Sequence, residues 1–345
     1  MNPTRLRLGI VGLGMAAKPH IAALADLAET IEVAGAFSPS ADRREAFHLT
    51  TGWPVANRLD ALLDDPAIDA MLVLTPPTTH LDLVECCAAA GKHVLLEKPL
   101  EVTLARSLAL VERMEAEGLR LGVVFQHRFR PVVRRLRDEL AAGGLGEIIA
   151  ASVEVRWWRP PAYYAETGRG MMARDGGGVL LTQAIHTLDV FSTLVGLPSD
   201  VSAHTLTSPM RRIDTEDVVA AALRFPNGAI GTLGATTAAY PGFPERIELT
   251  GIHGTATLKG NSLKINRHDG SVEQISGDGP TGGGADPMAF DHGPHRDLLA
   301  EFAEAIAIGR DPETSGRSSL AVHRLIDAIL RSAAGGRPVA LVTDP

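Results

Sequence analysis

Cysteine is nearly missing from this sequence. Cys86 and Cys87 are adjacent within an apolar helical run, which gives neither a disulfide framework nor CxxC metal spacing, so both thiols are expected to stay reduced. Basic charge is not in excess either. Lys and Arg number 33 against 41 Asp and Glu, and the net charge of −8 favours solubility and disfavours nucleic acid as a partner. Apolar runs of bilayer-spanning length are not expected, and Met1 to Leu8 leads into a short strand without a leader pattern. No membrane partner and a cytoplasmic location follow as expectations. Aromatic residues are scarce at 4%, so a local cluster of them carries information. Neither a long internal repeat nor a low-complexity tail is visible. What is present is 345 residues, 45% hydrophobic and 21% charged, enough for two domains that each bury a core.

Leu6 to Val11 reads as a strand and runs directly into Gly12-Leu13-Gly14-Met15-Ala16-Ala17, then into a helical stretch through Leu27. This order suits a dinucleotide pyrophosphate. Gly12 permits a tight turn, Gly14 lets phosphate approach the backbone, and Ala17 lets helix pack on strand, while the helix N-terminus offers N–H groups and a dipole. A tight structural turn would explain the glycines as well. Strand signals at 31–37, 70–74 and 94–96 alternate with helical runs at 40–50 and 80–90, which predicts a parallel sheet. Ligands of such sheets lie beyond the carboxyl ends of the strands, so Ser38, Thr75 and Glu97-Lys98-Pro99 would line one crevice. Where an acidic side chain would normally hold the ribose diol, the sequence offers Ser38-Pro39-Ser40 with Arg43 nearby, and NAD and NADP both stay open. Arg43 fits a 2′-phosphate contact and a solvated helix position equally well.

Thr75-Pro76-Pro77-Thr78-Thr79-His80, followed by Gly91-Lys92-His93-Val94-Leu95-Leu96-Glu97-Lys98-Pro99, resembles the Gfo/Idh/MocA oxidoreductases. The resemblance continues through Phe125-Gln126-His127-Arg128-Phe129, through Gly176-Gly177-Gly178 with His186 and Asp189, and through 326–339. It implies an α/β fold: an N-terminal Rossmann dinucleotide-binding domain over 1–125 and a C-terminal α/β domain over 126–345. The second domain would carry a large, predominantly antiparallel sheet that often makes subunit contacts, hence a homodimer or homotetramer. It further implies NAD- or NADP-dependent redox chemistry on a small polyhydroxylated substrate such as a sugar, cyclitol or related alcohol. The implied cofactor-binding set is Gly12, Gly14, Met15, Ala16, Ser38, Arg43, Thr75, Pro76, His80, Glu97, Lys98 and Gln126.

Lys98 is the leading catalytic candidate. An ammonium beside the nicotinamide can hydrogen-bond a substrate hydroxyl or carbonyl and stabilise a developing alkoxide. Glu97 would hold the lysine, support the turn or meet the cofactor, and the family suggests an unusual X–Pro geometry at Pro99.

The second domain begins after Gln126-His127-Arg128-Phe129-Arg130-Pro131, whose basic residues suit either ligand oxygens or an interdomain surface. A long strand is predicted over 148–158. Trp157, Trp158, Arg159, Tyr163 and Tyr164 fit a sugar-binding wall, core packing or an oligomer interface. After the triple glycine, Thr182, His186 and Asp189 stand at i, i+4 and i+7 of an apolar helix, sharing one face with Gln183 at its margin. An interhelical polar network and an active-site face are the two readings of that stripe. In many family members an aspartate occupies the position of Thr182, so this chain departs there. His186 then becomes the acid/base candidate, Thr182 a hydroxyl that positions or relays, and Asp189 a possible partner of the imidazole. The implied substrate-binding set is Lys98, Arg128, Trp158, Arg159, Tyr164, Thr182, Gln183 and His186. The Gln183-Ala184-Ile185-His186 segment resembles branches acting on nucleotide sugars or cyclic diols.

No metal site is read from the twelve histidines; His292 and His295, in a Gly/Pro-rich stretch with Asp286 and Asp291, are expected to be solvated. The resulting expectation is hydride transfer between nicotinamide and a secondary alcohol or carbonyl carbon. A catalytically silent NAD(P)-binding regulator and a redox-assisted lyase or glycosidase are the alternatives.

Overall fold

The computed structural model describes residues 5–277 and 291–341. In chain order it contains β1 (Leu6–Val11), α1 (Ala17–Asp26), β2 (Ile31–Phe37), α2 (Ala41–Thr51), α3 (Asp60–Leu63), β3 (Ala70–Val73), α4 (His80–Ala89), β4 (His93–Leu96), α5 (Leu104–Ala116), β5 (Leu121–Val123), α6 (Pro131–Ala141) and β6 (Ile148–Arg156). Then come α7 (Met172–Asp175), α8 (Ile185–Val195), β7 (Asp200–Leu206), β8 (Val218–Arg224), β9 (Ile230–Thr236), β10 (Arg246–Gly251), β11 (Gly254–Lys259), β12 (Ser262–Arg267), β13 (Val272–Ser276), α9 (Gly293–Ile308), α10 (Gly316–Gly335) and β14 (Val339–Ala340).

Two compact units result: Met1–Gln126 with His292–Leu320, and His127–Asp291 with Ala321–Pro345. The sequence reading assigns everything after residue 125 to the second domain, and the return of 292–320 to the first unit corrects it. The cause is local. Gly122 on β5 has no side chain, and Phe302 of α9 fills that space, its ring 2.9 Å from where a Cβ would stand. Val123 N also donates to Thr314 O at 2.8 Å, and α9 packs along α1.

The first unit is a Rossmann-type sheet of five parallel strands in the order β2-β1-β3-β4-β5. Ala70–Val73 and Val94–Leu96 are buried without alternation, as expected where helices cover both faces of a parallel sheet. The strand order reverses between β1 and β3, so the loops that follow them part there and leave a crevice at the carboxyl edge. Ser40 caps α2 by accepting from Arg43 N, and Gly52, at φ +73°, ends that helix.

The second unit carries a nine-stranded sheet, β13-β12-β11-β10-β6-β9-β8-β7-β14, antiparallel throughout except where β6 meets β9. Its strands alternate: Val219, Ala221 and Leu223 of β8 are buried between exposed Ala220, Ala222 and Arg224. On the buried face α8 lies on β6, and α6 lies on β11 and β12. The helical run Met172–Val195, among the described residues, is long and apolar enough to cross a membrane by length and composition, which corrects the expectation that no such run exists. The 18-residue stretch of it that meets this test is 78% buried inside the fold, the environment of a core helix that is apolar on most sides.

Candidate functional site

The loops expected to hold a cofactor in the first unit all leave the carboxyl edge of the parallel sheet. Gly12 takes φ +100° and lies against the next loop, so close that a Cβ would stand 2.7 Å from the Leu74 carbonyl group; only glycine fits. Gly14 is the opposite case. Nothing lies within 4 Å of its Cβ position, so the backbone there is open to an approaching group. Met15 is exposed, and α1 begins after Ala16 with no side-chain cap, leaving its positive dipole end for an anion. Thr75 is half-buried and accepts a hydrogen bond from Thr79 Oγ1, while Pro76 is exposed. Gln126, just beyond β5, has a buried Oε1 with no hydrogen-bond partner. An open glycine, an uncapped helix end and an orphaned acceptor together fit a dinucleotide.

The loop after β2 is arranged differently from the expectation. Ser38 is buried and its carbonyl accepts from Arg44 Nη1 at 2.6 Å, with Pro39 O 3.2 Å from the same nitrogen. Arg44, not singled out by sequence, therefore shapes the loop, and Arg43 stands exposed on the first turn of α2.

Lys98 follows β4 in a turn clamped from both sides. Glu97 Oε2 accepts from Lys98 N at 3.0 Å, and Oε1 lies 3.1 Å from His20 Nε2. The Lys98-Pro99 peptide is cis. His80, expected to touch cofactor, is instead fully buried: its Nε2 faces Thr75 O at 2.9 Å and its Nδ1 faces Pro99 O at 3.0 Å. It ties the loop after β3 to the Lys98 turn, and burial holds its pKa below the ordinary histidine value.

Of the two histidines expected to be solvated, His295 is the correction. His295 is buried on α9, edge-on to His20 with ring centroids 5.1 Å apart, and burial holds it well below the usual pKa. His292 Nε2 lies 2.9 Å from Asp26 Oδ2, and Asp286 falls outside the described residues. His20, Glu97 and His295 place possible ligand atoms within 4.8 Å of one another. His20 Nε2 is already engaged by Glu97, however, and His20 Nδ1 is buried without the partner that orients a metal-bound imidazole.

In the second unit the apolar helix begins with one π-type turn, Leu180–Ala184, before α8. Across 177–192 only Thr182 and His186 escape full burial, so these two do share an open face. Asp189 does not join them. It is completely buried and takes both Arg128 Nε (2.7 Å) and Arg128 Nη2 (2.5 Å). This corrects one expectation, since Asp189 does not orient His186, and it shows Arg128 buried and paired with that carboxylate. The neighbour of His186 is His127, with ring centroids 4.7 Å apart.

Thr182 has one hydroxyl proton and two acceptors for it, Gly178 O at 2.7 Å and Gln183 Oε1 at 2.5 Å. What it offers a substrate is a lone pair. Gln183 Nε2 donates to Tyr163 OH, which also accepts from Arg169 Nη1 at 2.9 Å. Sequence reasoning placed Tyr163 only in the aromatic cluster and missed Arg169, because a polar contact across 20 residues leaves no local pattern. It missed Glu216 for the same reason: this carboxylate accepts from Gly178 N and Leu180 N and so anchors the triple-glycine loop, and burial raises its pKa.

Of the aromatic cluster, Trp157 and Arg159 are packed inside. Tyr164 OH is bonded to Thr237 Oγ1, and Arg211 lies over its ring at 4.7 Å and over Trp158 at 5.6 Å. Arg159 is buried over the Trp157 ring at 5.1 Å. Trp158, Tyr163 and Tyr164 keep partial exposure, and Tyr240 stands edge-on to Trp158.

Residues 6–125 match the family described as an oxidoreductase family with an NAD-binding Rossmann fold, and residues 133–257 match the GFO/IDH/MocA C-terminal domain. The chain is 29% identical to inositol 2-dehydrogenase of Rhizobium meliloti (strain 1021) over 349 residues, covering 97% of this chain and 99% of that protein. It is 28% identical to 1,5-anhydro-D-fructose reductase of Ensifer adhaerens, covering 98% and 99%. Among solved structures, the WlbA dehydrogenase from Bordetella pertussis, in complex with NADH and UDP-GlcNAcA, is 30% identical with a TM-score of 0.84, covering 99% of this chain and 100% of that one.

Proposed function

The chain belongs to the Gfo/Idh/MocA oxidoreductases, NAD(P)-dependent enzymes acting on CH–OH groups, and from that premise we propose that it oxidises or reduces one carbon of a sugar, nucleotide sugar, cyclitol or cyclic diol. The observation that carries the reading is the pair Thr182 and His186, the two side chains left open on an otherwise buried helix. Relatives named for inositol and anhydrofructose, and a structural neighbour solved with a nucleotide sugar, support the substrate class.

When bound, the nicotinamide supplies the two-electron hydride chemistry. The residues supply the rest. The Lys98 ammonium stabilises negative charge on the reacting oxygen, and His186 removes its proton in oxidation and returns it in reduction. Thr182 accepts a hydrogen bond from a neighbouring substrate hydroxyl, in keeping with its engaged proton. His186→Ala is expected to lower kcat by about 10²-fold or more, with dinucleotide affinity unchanged. Full turnover in that variant would end the proton-transfer assignment.

The Ser38-Pro39-Ser40 loop carries no carboxylate to repel a 2′-phosphate, and Arg43 is exposed beside it. NADP is therefore expected to serve as well as NAD. Arg43→Glu should raise the KM for NADP by about tenfold or more while that for NAD changes little. Equal KM changes for both cofactors, read from initial rates, would remove Arg43 from ribose-site selection.

A further inference from the structure

Building on the assignment of His186 as the proton-handling group, we propose that His127 is its positioning residue: a ring fixed in the neutral state that lies against His186 and leaves proton uptake to His186 alone. The two rings are 4.7 Å apart between centroids and 32° from parallel. His127 Nε2 lies 2.6 Å from Arg130 Nη2. A guanidinium only donates, so Nε2 must present a lone pair and the ring proton sits on Nδ1. Arg130 cannot swing away easily, because its Nη1 donates to Glu245 Oε1 at 2.6 Å and both side chains are more than nine-tenths buried.

Protonating His127 would break the bond from Arg130 and bring a second cation against a buried guanidinium. The ring therefore stays neutral over the pH range in which an unperturbed histidine titrates. A neutral flat ring stabilises a cation above it, whereas two imidazolium rings at this separation would repel. The charged groups about the pair come from several elements. Arg128 is neutralised by Asp189 of α8, and Arg130, at the start of α6, is neutralised by Glu245, just before β10. On the helix side Thr182 and Gln183 add dipoles without charge, and the buried face of β6 presents Ala151, Val153 and Val155. Sequence alone marks His127 only as one basic residue of a linker. The structure gives it a distinct task from its neighbours Arg128 and Arg130, which bind carboxylates.

The pair is tested by NMR of the full-length protein carrying ¹³C-labelled histidine, titrated from about pH 5 to pH 8 around the ordinary histidine midpoint. His127→Phe and His186→Ala assign the two signals. In the wild type the His186 signal is expected to move with pH and the His127 signal to stay flat. His127→Phe, which keeps a flat neutral ring, should leave the His186 midpoint in place. His127→Leu, which removes it, should lower that midpoint by about half a unit. The acid limb of the kcat profile should move by the same amount, with the KM for dinucleotide unchanged. Titration of His127 within this range, or an unmoved His186 midpoint in His127→Leu, overturns the proposal. The wild-type titration needs no variant to fold beyond those used for assignment, and it reads the ring pair independently of turnover in His186→Ala.

Discussion

Lys98→Met is expected to bind dinucleotide as the wild type does and to lose about 10²- to 10³-fold in kcat, the loss seen when one donor to a developing oxyanion is removed. Methionine keeps the length of the stem and deletes the charge and its protons. The backbone around it is set by other groups: Glu97 accepts the Lys98 N–H, His20 meets the far oxygen of Glu97, and His80 faces the Pro99 carbonyl. None of these contacts uses the lysine side chain, so the turn should survive the substitution. The features expected to receive the dinucleotide phosphates, open Gly14 and the uncapped start of α1, lie in a different loop. Dinucleotide affinity measured by fluorescence and single-turnover change in nicotinamide absorbance separate binding from chemistry. A single-turnover rate above about a tenth of wild type, with affinity intact, would show that the ammonium is not the oxygen-stabilising group.

The parts of this molecule legible in the sequence are those whose signal is local. Gly12 and Gly14 sit in a strand–turn–helix of a dozen residues, and each has a backbone reason for its identity. The helical spacing of Thr182 and His186 likewise puts them on one face, and the burial of their neighbours bears this out. Periodicity stops short of Asp189. It says which side of a helix a residue leaves from, but a buried carboxylate turns toward whatever cation the fold supplies, here Arg128, 61 residues earlier. His80 illustrates the same limit, since a histidine after a proline-rich turn reads as a ligand contact until the carbonyls of Thr75 and Pro99 are found beside it. The return of α9 to α1 joins segments more than 260 residues apart, and no local pattern announces it. The scarce aromatics read two ways for a physical reason: Tyr164 and Trp158 present faces that guanidinium groups cover as well as sugars would.

Arg128→Leu should destabilise the second unit by about 3–5 kcal/mol, a fall in Tm of about 10 °C. The magnitude comes from what is left behind and not from the bond removed. Asp189 is fully buried, and without Arg128 its carboxylate has lost two charge-assisted hydrogen bonds in a place water does not reach. Burial already pushes the Asp189 carboxyl upward while Arg128 pulls it down, so deleting the arginine leaves the upward push unopposed. The sign of the pH dependence follows. A carboxyl whose folded pKa exceeds its unfolded value binds more protons when folded, so the variant should gain stability relative to wild type as pH falls through that raised pKa. Arg128→Leu combined with Asp189→Leu should recover most of the loss, because apolar side chains of similar volume need no partner there. Thermal unfolding of the two single variants and the double variant at two pH values measures this directly. Additive losses in the double variant would mean that Arg128 and Asp189 act independently, and the buried pair would then be no more than a crossing of two side chains.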